Sequence, residues 1–522
     1  MTTTAGVSLP PVQVVAQDSL GNIASSFTAD VSLSIGVNPS DGTLSGTTTA
    51  TAVAGVATFS TLSIDKSGTG YRLVATAGSL ARTSGAFSIT PGAATQLSLT
   101  VQPGTTTAGV TITPAVRVAG LDAFGNTATS FTGPVTIAIG TNPAGGTLAG
   151  TTAVAAVSGV AVFSTLSIDK AGSGYTLQLT ASGLPPTTST AFDITPAAAT
   201  QLAFTVQPGS TTAGATLTPA IQVAARDAFG NTVTAFAGTV TVAITTGTGT
   251  PGAVLSGTRT VGAVAGVATF STLSIDKSGS DYTLTATASG LSSVISAPFT
   301  IAAGAATQLV FTAQPITSTA GVILPPVQVT ARDSLGNTVS NFTGAVTLTI
   351  GVNPGGGTLS GTTTATAVAG VATFSTLSID KSGTGYRLLA TAGSLTRTSG
   401  AFSITPGAAT QLSFTVQPGT TTTGVVITPA VRVAAQDNFG NTVTSFTGPV
   451  TVAIGTNPAG GTLSGTTAVA AVSGVAVFST LSINNAGNAY TLAATSTGLT
   501  GTTSAAFDIV STPTPATMLP NN

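Results

Sequence analysis

Residues 42–73 read GTLSGTTTATAVAGVATFSTLSIDKSGTGYRL, and the same 32 residues return unchanged at 357–388. Looser copies start at Gly146, around Leu255 and at Gly461. A chain that writes one strand-turn-strand passage five times is constrained to be an array of like units rather than one large domain.

Other markers give the size of the unit. One Tyr falls in each: Tyr71, Tyr175, Tyr282, Tyr386 and Tyr490. One D-x-x-G-N motif also falls in each: Asp18/Asn22, Asp122/Asn126, Asp227/Asn231, Asp333/Asn337 and Asp437/Asn441. Gln96, Gln201, Gln308 and Gln411 stand 105, 107 and 103 residues apart, the size of a small sandwich domain. A longer period lies above this one. Asp18 and Asp333, Lys66 and Lys381, Tyr71 and Tyr386, and Asp122 and Asp437 are each 315 apart. Unit 1 therefore matches unit 4 and unit 2 matches unit 5, as if a block of three had been duplicated.

Within a unit the apolar residues alternate. Leu97, Leu99 and Val101 are separated by Ser98 and Thr100, and Val31, Leu33 and Ile35 by Ser32 and Ser34. Val12, Val14 and Ala16 continue the theme, as do Tyr71, Leu73 and Ala75, and Phe87 and Ile89. Period two with one apolar face marks antiparallel sheet packed on one side. Thr and Val favour strands, and no segment carries a 3.6-residue period. Short strands with frequent turn signals predict an all-β chain of sandwiches. Ala54-Gly55 predicts a tight hairpin after residues 48–53. Phe59 and Leu62, three apart, predict a bulge or strand end near Ser60 and Thr61. The joints read F-x-I-T-P-x-A-A-T-Q-L, with Pro91, Pro196 or Pro406 in a linker of a few residues, so they should be semi-rigid.

Composition narrows the chemistry. Charged residues make up 5% of the chain, the net charge is -1, and there is no Cys, His, Trp or Glu. No basic patch is available to steer nucleic acid. No apolar run reaches the roughly 18–20 residues that a membrane helix needs. Ser-His-Asp and Cys-His arrangements are impossible, and no carboxylate pair clusters within a unit, so the reading is a non-enzyme without cofactors. Hydrophobic residues reach 42% and fall at regular intervals, which argues for folded units rather than disorder.

Three features bear on sites. The ten Asp and Asn residues of the D-x-x-G-N motifs are oxygen donors that could suit calcium. One carboxylate per motif is few for a site wanting six to eight oxygens, and the alternative is an Asx-type turn around a Gly of positive φ. The four lysines, Lys66, Lys170, Lys277 and Lys381, each sit in S-I-D-K, while unit 5 has Ile483-Asn484-Asn485. They read as exposed turns, with an intramolecular isopeptide crosslink as the alternative. Each Tyr reads as a structural corner whose ring packs and whose hydroxyl bonds upstream backbone, with an aromatic ligand platform as the alternative. Asn341-Phe342-Thr343 is a single match to the glycosylation pattern.

The two ends are unequal. Residues 2–6 align with 105–109, so unit 1 lacks the strand that residues 96–102 supply in unit 2. Residues 515–519 resemble the opening of a further first strand. Strand donation from one molecule to the next would fill such a slot, and the alternative is a boundary that cuts a longer array. Met1 runs straight into TTTAG without a basic or apolar leader, so either these residues are a processed or trimmed piece or export uses a signal outside them.

Taken together, V-x-x-x-D-x-x-G-N, then G-x-A-x-F, then G-Y-x-L-x-A resembles the bacterial Ig-like domains of the invasin and intimin type. Unit 4 carries all three, at residues 329–337, 370–374 and 385–390. The resemblance spans all five units and implies Ig-like sandwiches placed outside the cell or on its surface, in adhesins, stalks and fibres. No lectin-like receptor-binding tip is visible. The expected layout is five tandem Ig-like antiparallel β-sandwiches in an elongated rod: residues 1–92 without the first strand, 93–196, 197–303, 304–406 and 407–510. Residues 511–522 form a tail and possible donor strand. The expected function is a non-catalytic extracellular stalk or fibre. The alternatives are a filament subunit joined head to tail by strand donation, and a glycan- or surface-binding adhesin repeat. Self-association end to end or along a longer array is the expected partnership, with no nucleic acid and no membrane span.

Overall fold

The computed structural model describes residues 1–512. Among these there is no helix, and none is long and apolar enough to cross a membrane. Strands are short and mostly antiparallel, and they enclose five separate apolar cores. The cores draw on residues 5–89, 97–194, 202–301, 309–404 and 412–509, with no member shared.

Unit 2 shows how the alternation becomes a sandwich. One sheet sets Gln96–Val101 beside Val116–Leu121 and that beside Val160–Phe163. The facing sheet sets Thr106–Thr107 beside Phe192–Thr195 and Gly172–Tyr175. After Thr176 the strand resumes as Leu177–Ala181, which pairs with Pro134–Ile139, and that in turn with Ala153–Ala155. The opening stretch thus divides between the sheets, and its second piece runs parallel to the last strand. Two antiparallel sheets linked in this way are an Ig-like sandwich. Leu97 is buried as its alternation predicts, but the register shifts after Leu99, so Leu99 and Val101 are only half-buried.

The Ala54-Gly55 turn forms with both residues at positive φ, +50° and +82°, closed by a pair of hydrogen bonds between Val53 and Val56. It is not a simple hairpin. Thr49–Thr51 pairs with Asp30–Val37 in one sheet, and Val56–Phe59 pairs with Val12–Val15 in the other. The turn therefore stitches the two sheets together. The strand then ends at Phe59, and a bend over Ser60 and Thr61 lets Phe59, Leu62 and Ile64 all reach the core.

Unit 1 differs in one respect. Its Val12–Val15 strand pairs only with Val56–Phe59, and among the described residues nothing occupies the place that Gln96–Val101 holds in unit 2. Val12 and Val14 are half-buried where Val116 and Val118 are fully buried. A slot of about 410 Å³ opens there, lined by Val14, Val15, Phe27, Val31, Ala75 and Leu80 among others. Residues 515–519, the expected donor, lie outside the described residues.

Candidate functional site at the joints between units

The polar side chains singled out in the sequence converge on the unit boundaries. Each D-x-x-G-N loop begins as a local device. Asp122 Oδ1 accepts the N–H groups of Phe124 and Asn126 at 2.9 Å each, and Gly125 between them takes φ +78°. This is the Asx-type turn, in which the side chain substitutes for backbone in holding a tight loop. Asn126 Nδ2 donates back to Asp122 Oδ2 at 2.9 Å. Gly92 N–H, in the linker from unit 1, donates to the same Oδ2 at 2.8 Å. Burial pushes the Asp122 carboxyl up, but these donors outweigh it and hold the group below its ordinary value. Asp227, Asp333 and Asp437 show the same balance, with Ala197, Gly304 and Gly407 as the linker donors. Carboxylate oxygens this fully engaged by N–H donors have little left to offer a cation. Among the described residues no group of three acidic side chains gathers in one place.

The Asn of each loop reaches across the boundary. Asn126 Nδ2 donates to Asp65 O at 2.8 Å, and its Oδ1 accepts Ser67 N–H at 2.9 Å. The other three joints repeat this. Asn231 meets Asp169 O and Ala171 N–H, Asn337 meets Asp276 O and Ser278 N–H, and Asn441 meets Asp380 O and Ser382 N–H. An amide that donates to one residue and accepts from the next but one fixes both the position and the orientation of that loop. These Asn side chains are buried, as are their Asp partners, whereas Asp18 and Asn22 in unit 1 are exposed.

The D-K turns are not free turns. Lys66 Nζ donates to Phe124 O at 2.6 Å, and Lys170 and Lys381 make the same bond to Phe229 O and Phe439 O. The expectation of an exposed turn is corrected here for three of the four: Lys66, Lys170 and Lys381 lie in the joint, each bonded to a carbonyl of the next unit. Lys277 is the exception and makes no such bond among the described residues. In unit 5, Asn485 Nδ2 instead donates to its own unit, at Ala459 O and Gly460 O.

An apolar contact completes each joint. The Phe124 ring covers Gly6 so closely that a Cβ there would sit 2.1 Å from ring carbon Cε2. Phe229 covers Gly109, Leu335 covers Gly214 and Phe439 covers Gly321 in the same way. These glycines hold φ between +73° and +79°. Backbone conformation and close approach both call for Gly there.

Four of the five tyrosines sit directly behind the joints, and Tyr490 holds the corresponding loop of unit 5. Tyr71 Oη donates to Lys66 O at 2.8 Å, and its ring lies 6.1 Å from that of Phe87. Tyr175, Tyr282, Tyr386 and Tyr490 bond Lys170, Lys277, Lys381 and Asn485 in turn. Burial raises the Tyr71, Tyr175 and Tyr386 hydroxyls above their ordinary value. All five Tyr side chains are fully buried, so none presents a face for a ligand to stack on.

No family model matches the chain, and no curated protein matches it. Solved structures do resemble it at low identity. The Escherichia coli adhesin FdeC is 18% identical over 58% of this chain and 96% of its own, with a TM-score of 0.29. Invasin, a bacterial integrin-binding protein, is 14% identical over 80% of this chain and 79% of its own, with a TM-score of 0.27. Domains 1–6 of the surface-layer protein SbsC are 14% identical over 96% of this chain and 65% of their own, with a TM-score of 0.21. The Ig-like assignment rests on the strand connectivity described above.

Proposed function

We propose that this chain is a non-catalytic extracellular structural module, a run of Ig-like units that forms a stalk or fibre at a cell surface. One observation carries the reading. At every boundary between successive units the Asn of the D-x-x-G-N loop bridges two backbone groups of the unit before it, and the apex side chain of that loop, Phe at three joints and Leu at one, covers a Gly. The repeated polar residues bond backbone groups across the boundary and so fix one unit against the next, as a spacer requires. Nearest-neighbour contacts of this kind set the stiffness of a repeat array. Units of about 100 residues are roughly 35–40 Å across, so five in line reach on the order of 200 Å. Small-angle scattering and negative-stain imaging test this. Straight particles of that length are expected, and compact particles or freely bent chains would sink the reading.

The open slot in unit 1 favours a second reading, in which an extended segment of another molecule completes the sheet beside Val12–Val15. Residues 515–519 are the donor on this reading. Polymers of the purified protein that vanish when residues 511–522 are removed are the expected result, and polymers that persist would exclude that donor.

A further inference from the structure

The four joints share one plan, and the joint between units 3 and 4 departs from it in three independent ways. The first is the linker. Pro91, Pro196 and Pro406 stand in the other three linkers, and Ala303 takes that place here. The second is the lysine. Lys66, Lys170 and Lys381 each donate to a carbonyl across their joint, whereas Lys277 makes no hydrogen bond among the described residues. The third is the apex side chain. The Phe rings of the other joints lie so close over Gly6, Gly109 and Gly321 that a Cβ on any of these would overlap the ring. Here the apex is Leu335, and its nearest atom stands 3.0 Å from a Cβ built on Gly214. Asn337 keeps both of its bonds, to Asp276 O at 2.9 Å and from Ser278 N–H at 3.1 Å. The joint is formed, then, but its amide and an aliphatic side chain hold it without the rest.

The loop packed behind Lys277 is rebuilt as well. In the other units an Asn closes it. Asn142 Nδ2 donates to Gly146 O at 2.9 Å, and its Oδ1 accepts Gly146 N–H at 2.7 Å. Asn38, Asn353 and Asn457 do the same with Gly42, Gly357 and Gly461. That Gly lets the loop close against the lysine: a Cβ on Gly146 would lie 2.8 Å from Tyr175 Oη and 3.4 Å from Lys170 Cβ. Unit 3 reads TTGTGTPGAV over residues 245–254, with no Asn and with Ala253 in place of the Gly. Thr250 Oγ1 donates instead to Ser278 O at 2.5 Å. The loop that carries Lys277 is thus tied back into its own unit.

We propose that the joint between units 3 and 4 is a built-in hinge, the place where the array bends first while the joints on either side stay closed. The linker supplies the backbone freedom. Pro fixes φ near -65° and Ala does not, so the chain can turn at Ala303 where the other linkers resist. Neither core is disturbed by such a turn, because the buried core residues stop at Ile301 and resume at Leu309. The absent lysine bond and the smaller apex side chain lower the cost of opening. Loss of one hydrogen bond from a charged donor raises the open fraction of a joint about fivefold. A hinge of this kind lets a stalk yield sideways at one point and keeps its other joints intact. The proposal rests on the tandem-rod reading and locates where that rod gives.

The test uses the full chain, which has no Cys, so introduced cysteine pairs take spin labels selectively. Pairs on exposed strands either side of two joints, units 2 and 3 and units 3 and 4, give two distance distributions by pulsed electron resonance. The pair across units 3 and 4 should show the broader one, with an open population about fivefold larger. Ala303→Pro with Leu335→Phe gives this joint the linker and apex of the others and should narrow its distribution. Pro196→Ala with Lys170→Met should broaden the one between units 2 and 3, with calorimetry confirming that each variant is folded. Equal widths at the two wild-type joints would overturn the hinge. So would a joint between units 3 and 4 that Ala303→Pro with Leu335→Phe leaves broad. The two readings fail differently: two narrow distributions sink the hinge alone, and two broad ones sink the rod with it.

Discussion

Tyr71 and Asn126 belong to different units, yet they hold adjacent carbonyls of one loop, those of Lys66 and Asp65, each at 2.8 Å. The loop is gripped from behind by a buried ring in its own core and from in front by the amide of its neighbour. Core and joint are therefore mechanically continuous, and disturbance of one is felt in the other.

Replacing Asn231 with Ala removes the bonds to Asp169 O and Ala171 N–H and leaves those groups without their partner in the joint. The expected loss is about 1–3 kcal/mol in the coupling of units 2 and 3. Distances between spin labels placed either side of the boundary should change from a narrow to a broad distribution. A distribution as narrow as that of the wild type would mean the amide does not hold the joint.

The lysines supply an internal control. Lys170→Met deletes a charged donor to Phe229 O and should weaken its joint by about 1 kcal/mol, less in high salt. Lys277→Met should leave its joint unchanged, because Lys277 bonds nothing across it among the described residues. Equal effects at the two positions, measured by the same label pairs, would show that the bond to the Phe229 carbonyl is not what Lys170 contributes.

Acid should loosen every joint together. The carboxyls of Asp122, Asp227, Asp333 and Asp437 are held below their ordinary value in the folded chain. The unfolded chain therefore binds more protons in that window. Stability from these groups is fully present above about 3.9, the unperturbed value. It is lost as pH falls through the lower folded values. Melting temperature followed from neutral pH downward should stay level until about pH 4 and then fall. A steady decline beginning near neutrality would contradict the assignment, since the chain has no His to titrate there.

The sheet-crossing turn of unit 3 places Ala265 at φ +48°, ahead of Gly266 at +79°. A β-carbon in the left-handed region costs about 1 kcal/mol, and Asn tolerates that region better than Ala. Ala265→Asn should raise the melting of that unit by about 4–8 °C at most, read by calorimetry of the full chain. Ala265→Val should lower it.

The alternation of Val31, Leu33 and Ile35 was enough to read strands, sheets and the size of a unit, because burial on one face imposes a local period. The turn at Ala54-Gly55 was equally local, but its role in crossing between sheets depends on where each arm pairs, which no short pattern states. The joint was hidden for a related reason. Asn126 and Asp65 are 61 residues apart and lie in different units, so each motif was explained within its own loop. Lys66 was read as a solvated turn for that reason. One signal did point outward: four lysines serve five units, as many as there are boundaries, and the one S-I loop without Lys belongs to unit 5.

In every unit a short strand near the start, the second piece of the opening stretch in units 2 to 5, lies parallel to the closing one, as Thr2–Thr4 on Phe87–Thr90 and Thr106–Thr107 on Phe192–Thr195. Tension transmitted along the array draws these two strands past each other lengthwise, so their hydrogen bonds are sheared together instead of being unzipped one at a time. Such a pairing resists pulling until it yields all at once, which gives each unit the behaviour of a brittle fuse in series with its neighbours.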